Sequence, residues 1–286
     1  MINKLAFWIC VVGLILTSCS AEPEEPQEEK QQLNLSTRAT DNVIAVGESI
    51  GLYMAYGNLA SAGNYVDNLK LTKLSNDTWL TDYALYWKNN SLNANMIGYA
   101  PYDANINDAL HYPFSVCVNQ SDVVAINASD FLWGMLPNHA PTSEEINLTL
   151  NHLFARVIVK LTPGNGLTEE DLLNGTISVQ INGTYTNALI NLGDGSITTT
   201  GTSGSITLYH EGDLTYSAIV VPQHVARTGI ITVVWNGVTY TLTREMTFDS
   251  DKQYTITIAL NKTPGGFNIS IGGWDDSGED FGGVVN

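Results

Sequence analysis

Basic residues are scarce. Lys and Arg number 12 in 286 residues against 29 Asp and Glu, a formal net charge of −17. With so few cations, neutralisation of phosphates cannot drive binding, which excludes nucleic acid as a partner. A polybasic grip on an acidic membrane surface is excluded for the same reason. Cysteine is equally sparse: Cys10, Cys19 and Cys117 are too few for a disulfide scaffold. The longest apolar run, Leu5 to Leu16, has twelve residues, short of the roughly 20 a membrane-spanning helix needs. There is no Gly-x-Ser-x-Gly elbow and no phosphate-binding loop. The five histidines (His111, His139, His152, His210 and His224) are too dispersed for a zinc pair. No catalytic residue, metal site or cofactor is therefore expected. What is present is 44% hydrophobic residues with only 14% charged, and much Thr, Asn, Gly and Tyr, the composition of a β-rich extracytoplasmic protein.

The apolar run follows Lys4, the only charged side chain before position 22, and reads as a secretory signal. It closes on Leu16-Thr17-Ser18-Cys19. Small residues before a cysteine at that point resemble the lipobox of bacterial lipoproteins, which implies cleavage after residue 18 and acylation of Cys19. Cys10 then leaves with the signal, and Cys117 remains as a lone buried thiol. Residues 20–30 hold five glutamates and two prolines in eleven positions. Such a segment cannot bury apolar surface and reads as an extended tether. An acidic stretch behind a lipidated cysteine also resembles the surface-export signal of certain Gram-negative lipoproteins.

Beyond the tether, period-two alternation dominates. Gln31–Ser36 is a short strand, and strand signals become dense from Val43. Ser49–Tyr56, Trp79–Trp87, Met96–Tyr99, Phe114–Val118 and Phe131–Met135 follow, separated by Asn, Asp and Pro clusters. Asn151-His152 interrupts Ile146–Leu161 and places a domain boundary near Leu150. In the second half, Asn236-Gly237 between Gly229–Trp235 and Val238–Thr243 is a type I′ hairpin signal. Tyr254, Ile256, Ile258 and Leu260 alternate with polar or small residues. Thr168–Leu173 is the only helix expected, with Thr168 as N-cap. Gly193–Ser196 and Gly201–Gly204 read as hairpin turns. Asp275–Asp280 packs four acids into six positions but lacks the alternation of a calcium loop, and reads as a solvated terminal loop. Turn residues every eight to twelve positions fit an all-β sandwich in each half.

Several segments carry a resemblance when taken in order: Leu35-Ser36-Thr37-Arg38-Ala39, Val46-Gly47-Glu48-Ser49-Ile50-Gly51-Leu52-Tyr53, Ile97-Gly98-Tyr99-Ala100-Pro101-Tyr102, Val118-Asn119-Gln120-Ser121, Ser129-Asp130-Phe131-Leu132-Trp133-Gly134, Leu150-Asn151-His152-Leu153-Phe154-Ala155-Arg156-Val157, Val221-Pro222-Gln223 and Ile271-Gly272-Gly273-Trp274. With the lipobox and tether before them they resemble the fimbrillin-like lipoproteins, subunits of the type V pili of Gram-negative anaerobes. The resemblance implies two tandem transthyretin-like Greek-key β-sandwich domains, residues 39–150 and 151–286, after a signal at 1–18 and a tether with a removable strand at 19–38. It implies transport to the outer membrane and cell surface as a lipoprotein. It further implies cleavage by a trypsin-like protease after an arginine matched by Arg38. The first strand would then be lost, and a strand from a neighbouring subunit would take its place. The lost strand would lie within Gln31–Thr37, with Leu33 and Leu35 as its pocket residues.

After Trp274 only twelve residues remain, and Phe281-Gly282-Gly283-Val284-Val285 is a poor strand because of its glycines. That favours a tip or accessory subunit over the main stalk. The partners implied are other fimbrial subunits, the processing protease, and ligands on host or bacterial surfaces. The rival reading is a surface lipoprotein that never polymerises and binds glycans, with Trp79, Tyr83, Tyr86, Trp87 and Trp133 as an aromatic supply that strand spacing otherwise assigns to the core. Neither reading is an enzyme; a surface hydrolase is a distant third.

Overall fold

The computed structural model describes residues 31–39, 44–75, 78–262, 268–271 and 281–284. The signal, Cys19, the tether and the acidic run at 275–280 lie outside them. The first half runs β1 (Asn34–Ala39), β2 (Ser49–Ala55), β3 (Val66–Lys73), β4 (Trp79–Thr81), β5 (Ala94–Ala100), β6 (Tyr112–Ser115), α1 (Val123–Ser129), β7 (Leu132–His139) and β8 (Glu145–His152). The second half runs β9 (Ala155–Pro163), α2 (Glu169–Leu173), β10 (Ile177–Asn191), β11 (Ser196–Thr207), β12 (Tyr209–Gly212), β13 (Thr215–Val220), β14 (Gln223–Trp235), β15 (Val238–Phe248), β16 (Gln253–Leu260), β17 (Asn268–Ile271) and β18 (Phe281–Val284). The protein is nearly all β, as its composition implies.

β2 and β5 are almost continuously apolar, and both are buried along nearly their whole length. Such runs fit strands covered on both faces. Ile50, Leu52, Met54 and Met96 point into one core, and Tyr53, Ile97 and Tyr99 into another. The order β1-β8-β7-β5-β2-β3-β4 bends at a corner, because β7 and β8 pair only at Leu132↔His152 and Trp133↔Asn151. Beyond it β8 lies across the sheet, and Leu148 and Leu150 pack over Gly98. A Cβ on Gly134 would overlap the Thr149 carbonyl, so this approach requires glycine. The result is a sandwich with a thin second layer, β8 and β1.

The opposite face of β2 and β5 meets the second half through an aromatic cluster. Phe131 lies 4.9 Å from Phe114, edge to face, and Phe114 lies 5.5 Å from Phe154. Two further sheets, β11-β10-β14-β15 and β12-β13-β9-β16, enclose the remaining core. β6, from the first half of the chain, pairs with β10. Two side-chain amides pin strand residues, Gln120 from the loop before α1 and Gln223 from the start of β14. Gln120, fully buried, accepts from the Ile219 N–H at 2.8 Å and donates to the Ile219 carbonyl at 2.8 Å. Gln223 does the same for Tyr185, at 2.7 and 3.0 Å. Each side chain thus copies the bonding of one strand residue.

The Asn236-Gly237 hairpin forms, with both residues at positive φ (49° and 81°), as a type I′ turn requires. α2 carries its Thr168 cap in a full capping box. Four sequence expectations need correction. Trp79–Trp87 is not one strand: β4 ends at Thr81, whose hydroxyl donates to the Tyr83 carbonyl in a bend. α2 is not the only helix, since α1 forms behind an Asp122 cap that accepts from the Ala125 N–H. Gly201–Gly204 lies inside β11 rather than in a turn, with Gly201 at φ +78° beside a register shift. Phe281–Val284 is a strand despite its glycines, paired antiparallel with β17.

Candidate functional site

The segment 31–39 changes partner along its length. Its first part pairs with residues 85–87: the Leu33 N–H donates to the Leu85 carbonyl and the Trp87 N–H to the Gln31 carbonyl, both at 2.9 Å, around an antiparallel Gln32↔Tyr86 bridge. Its second part, β1, pairs parallel with β8, from Asn34↔Glu145 to Ala39↔Leu150. One segment therefore stitches the β8 edge to the stretch after β4. Sequence reading did not find the 85–87 partner. The in-out alternation there (Leu85 and Trp87 buried, Tyr86 exposed) is its only signal.

Leu33 is 5% exposed, and Leu35 is half-buried against the same core. Both pack with the cluster that holds Ile50, Leu71, Leu85 and Leu148. Burying a leucine contributes about 1.5–3 kcal/mol. Beside this segment lies a groove of about 550 Å³ whose apolar lining comes from Leu33, Leu35, Leu71, Trp79, Ala84 and Leu85. The Trp79 indole N–H is buried there without an acceptor among the described residues. β1 and β4 are the two terminal strands of their sheet, so each keeps one edge without a strand partner among the described residues.

Arg38 is in β1, opposite Thr149 in the register. The strand thus runs to Ala39, past the Gln31–Ser36 strand expected from the alternation and past Thr37, the bound of the implied removable strand, and the bond after Arg38 is inside the ladder. Cys117 is a free thiol, half-buried rather than fully buried. His152 is buried and its Nδ1 lies 2.9 Å from Asp130 Oδ1.

The aromatic supply does not assemble into a platform. Trp87 is fully buried, donates to the Thr142 carbonyl at 3.0 Å and stacks on His139. Trp133 donates to the Leu192 carbonyl at 2.8 Å and packs on Gly195, pinning the β10–β11 turn. Trp79 joins the core of the first sandwich. Only Tyr83 and Tyr86 of the five are exposed.

The model of the fimbrillin-like family matches residues 37–274. The chain belongs to the fimbrillin-like family. Among proteins similar to this fimbrillin-like chain is a candidate fimbrium subunit, Fim1C, of Bacteroides uniformis, 25% identical over 226 residues, or 73% of this chain and 72% of that one. A candidate cell adhesion protein of B. uniformis has a similar crystal structure: TM-score 0.66 at 22% identity, covering 82% of this chain and 94% of that one. The tip fimbrial protein Mfa3 of Porphyromonas gingivalis, C-terminally truncated, gives a TM-score of 0.52 at 11% identity, covering 82% and 96%. These structural likenesses concern the fold. Family membership makes the chain a fimbrial or adhesion-type protein of the cell surface, one that assembles with other fimbrial subunits.

Proposed function

We propose that this fimbrillin-like protein is a fimbrial subunit that assembles by β-strand complementation, with residues 31–39 as the strand it gives up. The observation that carries the reading is the double role of that segment. It supplies backbone partners to two separate edges and two leucines to an apolar groove. Its loss leaves both defects together, and a strand from another chain repairs both. On this reading Cys19 carries the lipid that holds the chain at the outer membrane. A trypsin-like protease cuts after Arg38, and Leu33 and Leu35 mark the pockets the incoming strand refills. We place the division between the two sandwiches in the short link from β8, which ends at His152, to β9, which begins at Ala155, just past the 150/151 boundary expected from the sequence. A tip or accessory place is favoured over the stalk. β18 offers four residues, two of them glycine, against the nine it would replace.

Arg38→Ala tests the proposal on intact cells. The variant should keep its fold, retain its lipid and form no high-mass ladder, whereas the wild type is shortened and polymerises. Surface polymers from the variant would refute strand release at this residue.

A further inference from the structure

A second cleft, of about 320 Å³, opens at the end of the first sandwich. It lies within the range of small-molecule sites, at the lower end. Four elements meet there: the start of β2, β3, the turn after β5, and the stretch from α1 into β7. Their polar groups converge. Lys70 holds its ammonium 5.6 Å from the centre of the Tyr102 ring, and among the described residues it has no carboxylate partner. Asn127 is exposed on the wall. Asp130, whose side chain is 14% exposed, is fixed from behind by buried His152 at 2.9 Å. Glu48 accepts from the Ala45 N–H at 2.7 Å. Ala100, Pro101 and Leu132 supply apolar strips between them.

Charge narrows the occupant. Two carboxylates in the cleft and a chain at −17 repel an anion such as a phosphate or an acidic sugar. Lys70 offsets one of the two carboxylates, so the cleft lacks the several anionic oxygens that a bare metal cation needs. The polar lining leaves a purely apolar group with buried donors and acceptors unmet, which costs more than its burial gains. A neutral polyol meets all three conditions. Vicinal hydroxyls donate to Asp130 and accept from Lys70 and Asn127, while ring C–H groups lie on the apolar strips. We propose that this cleft binds one neutral sugar unit, the end or a branch of a glycan. The site does not depend on strand exchange and is distinct from the β1 groove. It also replaces the aromatic platform, whose members are mostly buried, as the place where a glycan is held.

The test uses the mature chain with the methyl glycosides of glucose, galactose and mannose, each titrated to 50 mM and followed by NMR, with N-acetylneuraminic acid as the acidic control. At least one neutral glycoside should saturate and shift the Asn127 side-chain amide. Lys70→Met and Asn127→Ala alter exposed residues, so both should fold, and each should weaken binding about tenfold. N-acetylneuraminic acid should bind more weakly than the neutral sugar. The proposal is overturned if no glycoside saturates, if both variants keep the affinity within twofold, or if the acidic sugar binds best. The outcome leaves the strand-exchange reading untouched, because none of these residues borders the β1 groove.

Discussion

Leu33→Ala is the sharpest probe of the first strand. Leu33 is 5% exposed, sits where the segment changes partner, and its N–H holds the Leu85 carbonyl. Truncating a buried leucine costs about 2–5 kcal/mol, more where the site cannot collapse. Here the lost methyls border a groove that is already open, so water or side chains fill the space and a value of about 3 kcal/mol is expected. The loss should fall on local opening of the segment rather than on the whole fold, because Leu33 belongs to the core of the first sandwich alone and borders an open groove. The Arg38–Ala39 bond is paired with β8, so a protease must wait for that opening. When opening is fast relative to cleavage, the rate follows the open population. With tenfold per 1.4 kcal/mol, trypsin should cut after Arg38 about 100-fold faster in the variant. Cutting after Lys30, in the tether, should not change. The measurement is a time course of both cuts by mass spectrometry. If the Arg38 rate moves by less than threefold, or if Lys30 accelerates equally, the strand is not what protects the bond.

Other changes read other parts of the molecule. Cys19→Ala should remove label from a palmitate analogue and misplace the protein; equal labelling of the variant refutes the lipobox. Gln120→Leu keeps the volume but leaves the Ile219 N–H and carbonyl unpaired in the core, and should cost about 2–4 kcal/mol in a denaturant titration. Burial first, then nearby Asp67 or Asp103, holds the Tyr53 and Tyr112 phenols well above the usual tyrosine range, and burial does the same for Tyr99. A raised folded pKa means the unfolded chain ionises first. Stability should therefore be level below pH 10 and fall above it, by at most about 4 kcal/mol per pH unit for three such groups. Alkaline unfolding followed by circular dichroism checks the direction, and a rise in stability above pH 10 contradicts it.

Legibility followed the strength of the local pattern. β8 and β16 alternate strictly, are buried on one face, and stand where their sequences put them. Trp79–Trp87 has equally good strand residues, but its alternation spans a bend, and hydropathy does not register a Thr81 hydroxyl bonding to Tyr83. α1 is rich in β-branched residues with poor helix propensity, and its Asp122 cap decides the matter. The aromatic residues were legible as core or surface only through long-range partners: Thr142 for Trp87 and Leu192 for Trp133. The first strand was visible from Leu33 and Leu35. Its end at Ala39 was not, because that end depends on pairing with β8, more than 100 residues away. The cleft behind Glu48, Lys70 and Asp130 gave no sign, since its members are scattered over four segments.

β1 runs parallel to β8 over six register positions, from Asn34 to Ala39. Tension along the axis of a strand in that place loads the whole ladder at once, in shear, instead of peeling one bond after another. The segment 31–33 adds a second grip on the other side, through Leu85 and Trp87. A strand seated there withstands a steady pull along its length far better than a lift from one end; on the strand-exchange proposal, such a subunit would hold under drag yet let go when its first strand is freed from a terminus.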